Sequence, residues 1–199
     1  MASVLVVCTG NVCRSPVAEA ILRSALDHRF GALAPSVASA GIAGWEGSAA
    51  SPGSVTAAAE LGLDLSNHRA RRLAAGHVRD ARLVLAMASE HRELVERLVP
   101  DAADRTFTLK ELVRLLEALP PPEGAPEDPA AALATRVAEA GALRRGWLAG
   151  DARDEDVDDP LGMPPEKYRE VAIELDEWCG RLADGLFGRA PARASSQGA

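Results

Sequence analysis

Aromatic side chains are scarce in this chain: phenylalanine, tryptophan and tyrosine together make up 4% of its 199 residues. Alanine and leucine therefore carry much of an apolar content of 47%, which beside 26% charged residues is ordinary for a soluble globular protein. Basic residues are in deficit. A formal net charge of −7 gives no general support for binding nucleic acid or an anionic membrane surface, so any anion recognition must be local. No apolar run approaches membrane-spanning length, and no basic segment followed by an apolar stretch and a small-residue cleavage site opens the chain. A cytoplasmic protein is expected. Cysteine is scarce too: Cys8, Cys13 and Cys179 are too few for a disulfide framework, and Cys-x4-Cys without clustered histidine is poor metal-ligand spacing. No metal or other cofactor is expected, and such thiols suit nucleophilic chemistry better.

Against this background one stretch stands out. Cys8-Thr9-Gly10-Asn11-Val12-Cys13-Arg14-Ser15-Pro16 follows Val4 to Val7, a β-branched apolar run that reads as a fully buried strand, and precedes Val17 to Leu22, which reads as a helix. Strand, tight loop and helix make a phosphate-binding geometry: successive backbone N–H groups can converge on one centre, and the positive end of the helix dipole adds to them. A cysteine inside such a ring of donors is expected to be largely thiolate near neutral pH. Arg14 supplies a planar two-pronged donor for phosphate oxygens. Reading Cys8 as an inert buried thiol would leave Gly10, Asn11 and Arg14 unexplained.

Strands and helices alternate along the rest of the chain. Ser36 to Ala40 alternates toward a second strand ending at Gly41, and Pro52 to Leu61 reads as a helix capped by Ser51 with proline at its first position. Ala81 to Met87 is a third strand and Ser89 to Leu98 a helix with Ser89 as its cap; Arg105 to Leu109 is a fourth strand and Lys110 to Leu119 a helix. This alternation implies a parallel sheet covered on both faces, with ligands at the carboxyl ends of its strands. Pro120 to Asp156 breaks the pattern. It is proline-rich and acidic at first, alanine-rich and helix-compatible over Ala130 to Leu148, and acidic again at its end, and it reads as an insertion, part linker and part extra helix. A long amphipathic pattern from Tyr168 to Leu186 is the final helix, with Cys179 a packed thiol on it, and Gly188 to Ala199 reads as a disordered tail. A single domain over residues 1–187 is expected, with its insertion at 120–156.

Cys-x5-Arg followed by Ser-Pro near the start of the chain, with Asp159-Pro160 far downstream, resembles the low-molecular-weight protein phosphatase family over most of the sequence. The resemblance implies a three-layer α/β fold, a four-stranded parallel sheet with helices on both faces, of the flavodoxin-like phosphatase I type. It also implies a metal-independent phosphatase acting on a phosphorylated protein and releasing phosphate. Cys8 would attack phosphorus to form a cysteinyl-phosphate, while the loop N–H groups of Thr9, Gly10, Asn11, Val12 and Cys13, with Arg14, hold the phosphoryl oxygens. Asp159 would protonate the leaving group and Ser15 donate to the departing thiolate, with Asp158 the rival carboxylate. Trp45 and Leu161 would line the substrate mouth. Ser39 and His68 would join Asn11 and Ser15 in locking the loop, and Cys13 could close a reversible disulfide to Cys8 that spares it from overoxidation.

Three chemistries share that scaffold. Arsenate-reducing relatives pass a disulfide outward through further cysteines, and here none lies between Cys13 and Cys179. Relatives acting on phosphotyrosine usually carry a branched aliphatic residue at the position of Val12 and aromatic residues after Asp-Pro. Those acting on phosphoarginine carry threonine there and often Asp-Pro-Phe-Gly. Val12 lacks the hydroxyl a guanidinium contact would use, and Leu161-Gly162 lacks a tyrosine-stacking wall. A missing hydrogen-bond partner discriminates more sharply than a changed apolar wall, so phosphotyrosine is the expected substrate and phosphoarginine the alternative. A phosphoresidue-binding module that does not cleave would need neither thiolate nor proton donor. No sequence signature bears on oligomeric state.

Overall fold

The computed structural model describes residues 3–43, 45–146 and 155–189. β1 (Val4–Cys8) is buried along its whole length, as its β-branched run requires, and lies inside a sheet of order β2-β1-β3-β4 with β2 (Val37–Gly41), β3 (Leu83–Ala86) and β4 (Thr106–Thr108). Every pairing is parallel, so each strand must be followed by a crossover. Alternate side chains then part to two faces. Val4, Val6, Leu83 and Leu85 meet α1 (Arg14–Phe30), α2 (Pro52–Glu60), α5 (Leu109–Ala118), α6 (Pro129–Gly146) and α7 (Pro165–Phe187). Leu5, Val7 and Val84 meet α3 (Ala75–Asp80) and α4 (Ser89–Leu98). The three-layer parallel α/β architecture expected from the sequence is the one observed. β1 occupies the centre, so the loop leaving its carboxyl end opens at the middle of the sheet's edge.

Local signals explain several boundaries. Ser51 caps α2 by accepting from Ser54 N, with Pro52 at the first helical position. Thr108 and Glu111 form a reciprocal capping box at the start of α5. The expected cap at Ser89 is not formed: Ala88 holds the cap position, and the carboxylate of Asp156 accepts from Ser89 N at 2.7 Å. The donor that a local serine would satisfy is met by a residue 67 positions away. Within the expected insertion, α6 buries Leu133, Val137 and Ala140 in the core, so this stretch is a structural layer as well as a connection. Residues 147–154 of that segment, and the expected tail from Ala190 onward, lie outside the described residues. Gly188 closes α7 with φ 80°, and Arg29 Nη1 donates to its carbonyl at 3.0 Å. Cys179 is fully buried on α7, where desolvation pushes its thiol far above the ordinary range. No helix among the described residues is long and apolar enough to cross a membrane.

Candidate active site

The loop between β1 and α1 is held from outside by its carbonyls. Ile42 N donates to Cys8 O (3.0 Å), Ala43 N to Thr9 O (2.8 Å), Ser51 N to Val12 O (2.8 Å) and His68 Nε2 to Asn11 O (2.8 Å). With the carbonyls spent outward, the amides are left for the interior, and Asn11 N lies 3.3 Å from Cys8 Sγ. Asn11 adopts φ 57°, a left-handed conformation that bends the chain around the sulfur. At the start of α1 the cap residue is Cys13, whose side chain makes no capping bond, and the first turn carries no acidic residue, so the orphan N–H groups of that turn are not spent on a protein carboxylate.

Behind the loop the amide of Asn11 is oriented by its partners. Asn11 Oδ1 accepts from Arg71 N (2.9 Å), which fixes its amide nitrogen toward Ser15 Oγ (2.9 Å) and Ser39 Oγ (2.7 Å). Ser39 passes its own proton to Glu19 Oε2 at 2.5 Å. Ser15 Oγ, which accepts from Asn11, lies 3.0 Å from Cys8 Sγ, where its hydroxyl can donate to a thiolate. One branch of the network leads from Arg71 N through Asn11 and Ser15 to the sulfur, and the other runs from Asn11 through Ser39 to Glu19. The structure brings Ser39, His68, Asn11 and Ser15 together behind the loop. Arg71 and Glu19, which complete the network at its two ends, carry no distinguishing mark in the sequence.

In front of the loop, Cys8, Thr9, Gly10, Val12, Cys13, Arg14, Trp45, Asp159 and Leu161 line one cavity of about 40 Å³. A larger cavity of about 400 Å³ lies on the other side of Ser39 and His68 and does not include Cys8. Arg14 is buried. Its Nη1 donates to Val157 O (3.0 Å), and its Nη2 donates to Thr9 Oγ1 (3.2 Å) and to Asp159 Oδ2 (2.6 Å). Arg14 Nε is buried and has no partner, on a side chain whose residue lines the cavity. Asp159 also accepts from Leu161 N (3.2 Å), which shapes the turn at Pro160. The rival Asp158 points elsewhere: Lys167 Nζ lies 2.7 Å away and holds its carboxyl below the usual carboxylate range. Trp45 and Leu161 are half exposed at the mouth, with the indole against Gly10, and Val12 is buried at the floor.

What holds the Asp159 segment was not legible beforehand. Val157 N donates to Met87 O (2.8 Å), Lys110 Nζ to Asp156 O (2.8 Å), and Asp156 takes the α4 N-terminus. Tyr168 Oη accepts from Gly162 N (3.2 Å) on the far side of the turn. Cys13 carries a free thiol that donates to Ser51 Oγ (3.2 Å), and burial pushes it above the ordinary range.

The sequence profile of the low molecular weight phosphotyrosine protein phosphatase family matches residues 3–122. A protein-arginine-phosphatase of Geobacillus stearothermophilus is 32% identical over 92% of this chain and 95% of its own length. A probable low molecular weight protein-tyrosine-phosphatase EpsP of Ralstonia solanacearum is 39% identical over 55% of this chain and 72% of its own. Among solved structures, a low molecular weight protein tyrosine phosphatase from T. tengcongensis superposes with a TM-score of 0.67 at 34% identity, covering 94% of this chain and all of that one. With the profile matching more than half the chain and a relative matched over nearly its full length, the chain belongs to the low molecular weight phosphotyrosine protein phosphatase family.

Proposed function

We propose that this protein is a metal-independent protein phosphatase that hydrolyses phosphotyrosine through a cysteinyl-phosphate. The observation that carries the reading is the position of Cys8 Sγ, which receives the Asn11 N–H and the Ser15 hydroxyl on the wall of a cavity it shares with Arg14 and Asp159. In the first step Cys8 Sγ attacks phosphorus in line. The S–P bond forms as the ester P–O bond breaks, and Asp159 gives its proton to the leaving oxygen. Arg14 Nε and the loop N–H groups hold the equatorial oxygens as charge shifts onto them. In the second step water attacks phosphorus and Asp159 takes its proton. The S–P bond breaks, and the thiolate that departs is met by the Ser15 proton. Each protein group acts from where it already sits, save Arg14, which must share or release Asp159.

Phosphoarginine is the alternative substrate, favoured by the long match to a protein-arginine-phosphatase. Phosphotyrosine is preferred because Val12 gives the pocket floor no hydroxyl with which to accept from a guanidinium. We further read residues 1–187 as one cytoplasmic domain with an insertion at 120–156. The decisive experiment compares phosphotyrosine and phosphoarginine peptides on wild type and Val12→Thr. Wild type should favour phosphotyrosine and Val12→Thr should gain phosphoarginine turnover; a wild-type preference for phosphoarginine reverses the assignment. Turnover of p-nitrophenyl phosphate undiminished in Cys8→Ser would remove the phosphatase reading altogether.

A further inference from the structure

His91, the third residue of α4, is 1% exposed and lies outside the catalytic cavity, yet its Nε2 is 2.9 Å from Thr9 Oγ1. Thr9 follows the nucleophile directly and lines the cavity. Its oxygen already accepts from Arg14 Nη2, a group that can only donate. Which way the His91 contact runs decides what Thr9 can do. If the imidazole proton were on Nδ1, a buried N–H would have no partner, and the bare Nε2 would face Glu90 Oε1 at 3.4 Å. Both are unfavourable, because a buried unpaired donor costs the full loss of its hydration and a lone pair repels a carboxylate. With the proton on Nε2 the orphan is only an acceptor nitrogen, and the carboxylate faces an N–H.

We propose that His91 donates from Nε2 to Thr9, so that both lone pairs of the Thr9 oxygen are taken and its hydroxyl proton is turned into the cavity as a further donor to the substrate's phosphoryl group. His91 is a positioning residue and Thr9 a binding one. A neutral imidazole suits this role, and burial together with the Arg14 charge pushes His91 down to about 4, outweighing the pull of Asp156 and Asp159. The same arrangement leaves Thr9 no lone pair for a substrate guanidinium, which sharpens the case for phosphotyrosine. The inference rests on the phosphatase reading only in taking the cavity to bind phosphate.

Calorimetric titration with inorganic phosphate tests it without turnover. Thr9→Val should weaken binding about tenfold, as loss of a hydrogen bond to a charged group does, while Thr9→Ser stays within about twofold of wild type. His91→Phe should weaken it about three- to fivefold, and His91→Gln, whose amide N–H can still donate to Thr9, should recover most of that loss. In the Thr9→Val background neither change at 91 should matter. Thr9→Val within about twofold of wild type, or losses that multiply in the double variants, overturns the inference. If His91→Phe does not fold, His91→Met, which likewise has no donor for Thr9, takes its place in the cycle. Wild type that binds phosphate with these dependences and fails to hydrolyse p-nitrophenyl phosphate refutes the phosphatase reading and leaves the inference standing.

Discussion

Replacing Asp159 by asparagine should make two measured quantities move in opposite directions. In the free protein the carboxylate lies 2.6 Å from Arg14 Nη2, with the arginine side chain 6% and the aspartate side chain 41% exposed. Any phosphoryl group entering the cavity competes with that contact and meets the like charge of the carboxylate. Asparagine keeps an oxygen that can accept from Arg14 and Leu161 N, so the turn should hold, but the charge is gone. A hydrogen bond between charged groups contributes about 1.5–3 kcal/mol, and solvent at the aspartate reduces this to about 1 kcal/mol. Inorganic phosphate should therefore bind about fivefold more tightly to Asp159→Asn. Turnover should fall, because the leaving oxygen must now depart without a proton, a loss on the order of 10²-fold or more for a poor leaving group. The assay pairs competitive inhibition by phosphate with kcat/KM, which reports the step that expels the leaving group, for p-nitrophenyl phosphate and for phenyl phosphate. Phenyl phosphate should suffer the larger drop. Weaker phosphate binding in the variant, or equal losses on both esters, refutes the reasoning.

Three further outcomes are expected. Because His91 titrates near 4 when folded and near 6.5 when exposed, the unfolded chain binds the extra proton between those values. Stability from this group is full above about pH 6.5 and falls as the pH is lowered, by about 2 kcal/mol at about pH 5; urea unfolding at the two pH values should show a smaller loss in His91→Gln, and an equal loss refutes the assignment. Gly41→Ala would place a Cβ 2.8 Å from Asn11 N and Gly10 C and 2.9 Å from Thr9 O, all backbone. The catalytic loop must shift, so p-nitrophenyl phosphate turnover should drop more than about tenfold at a cost of about 1–3 kcal/mol in stability, and activity within about twofold of wild type would show the loop to be more yielding. Asp156→Ala removes the acceptor at the α4 N-terminus and should cost about 1 kcal/mol in a thermal or urea melt. It should lower kcat several-fold with phosphate affinity unchanged, whereas a change in phosphate affinity alone would place Asp156 in binding instead.

The parts of this molecule that were legible in advance are those whose causes lie close together in sequence. Val4 to Val7 is fully buried and so needs no alternation to mark it as a strand, and Ser51 followed by Pro52 writes a helix start in two letters. The loop from Cys8 to Arg14 carries its own geometry, and the residues expected to form the site do line one cavity or brace it from behind. The misses have causes at long range. A serine before a helix is a cap only if no stronger acceptor arrives from elsewhere, and at Ser89 the carboxylate of Asp156 does. α3 is six residues long with Val78 its one buried residue, too short to show a helical period. His91 reads from its neighbours as an ordinary helix residue; its value comes from Thr9, 82 residues earlier.

The chain between α5 and Asp159 is long, yet Asp159 is fixed by contacts made just before it. Asp159 is placed by what immediately precedes it: Glu155 lies 3.7 Å from both Arg92 and Arg114, Asp156 meets Ser89 N and Lys110, and Val157 meets Met87 and Arg14. These partners sit on α4, α5, the end of β3 and the loop after β1, none of them between Pro120 and Gly146. The chain entering at Glu155 is therefore set by the sheet's own carboxyl edge, and the entropy of closing the preceding loop grows only with the logarithm of its length. α6 offsets that cost by burying Leu133, Val137 and Ala140, and it is tied on by Arg144, which lies over the Phe107 ring and donates to Thr106 O and Ala103 O. Proline and acidic residues can thus accumulate between α5 and α6 while the carboxylate at 159 stays 2.6 Å from Arg14.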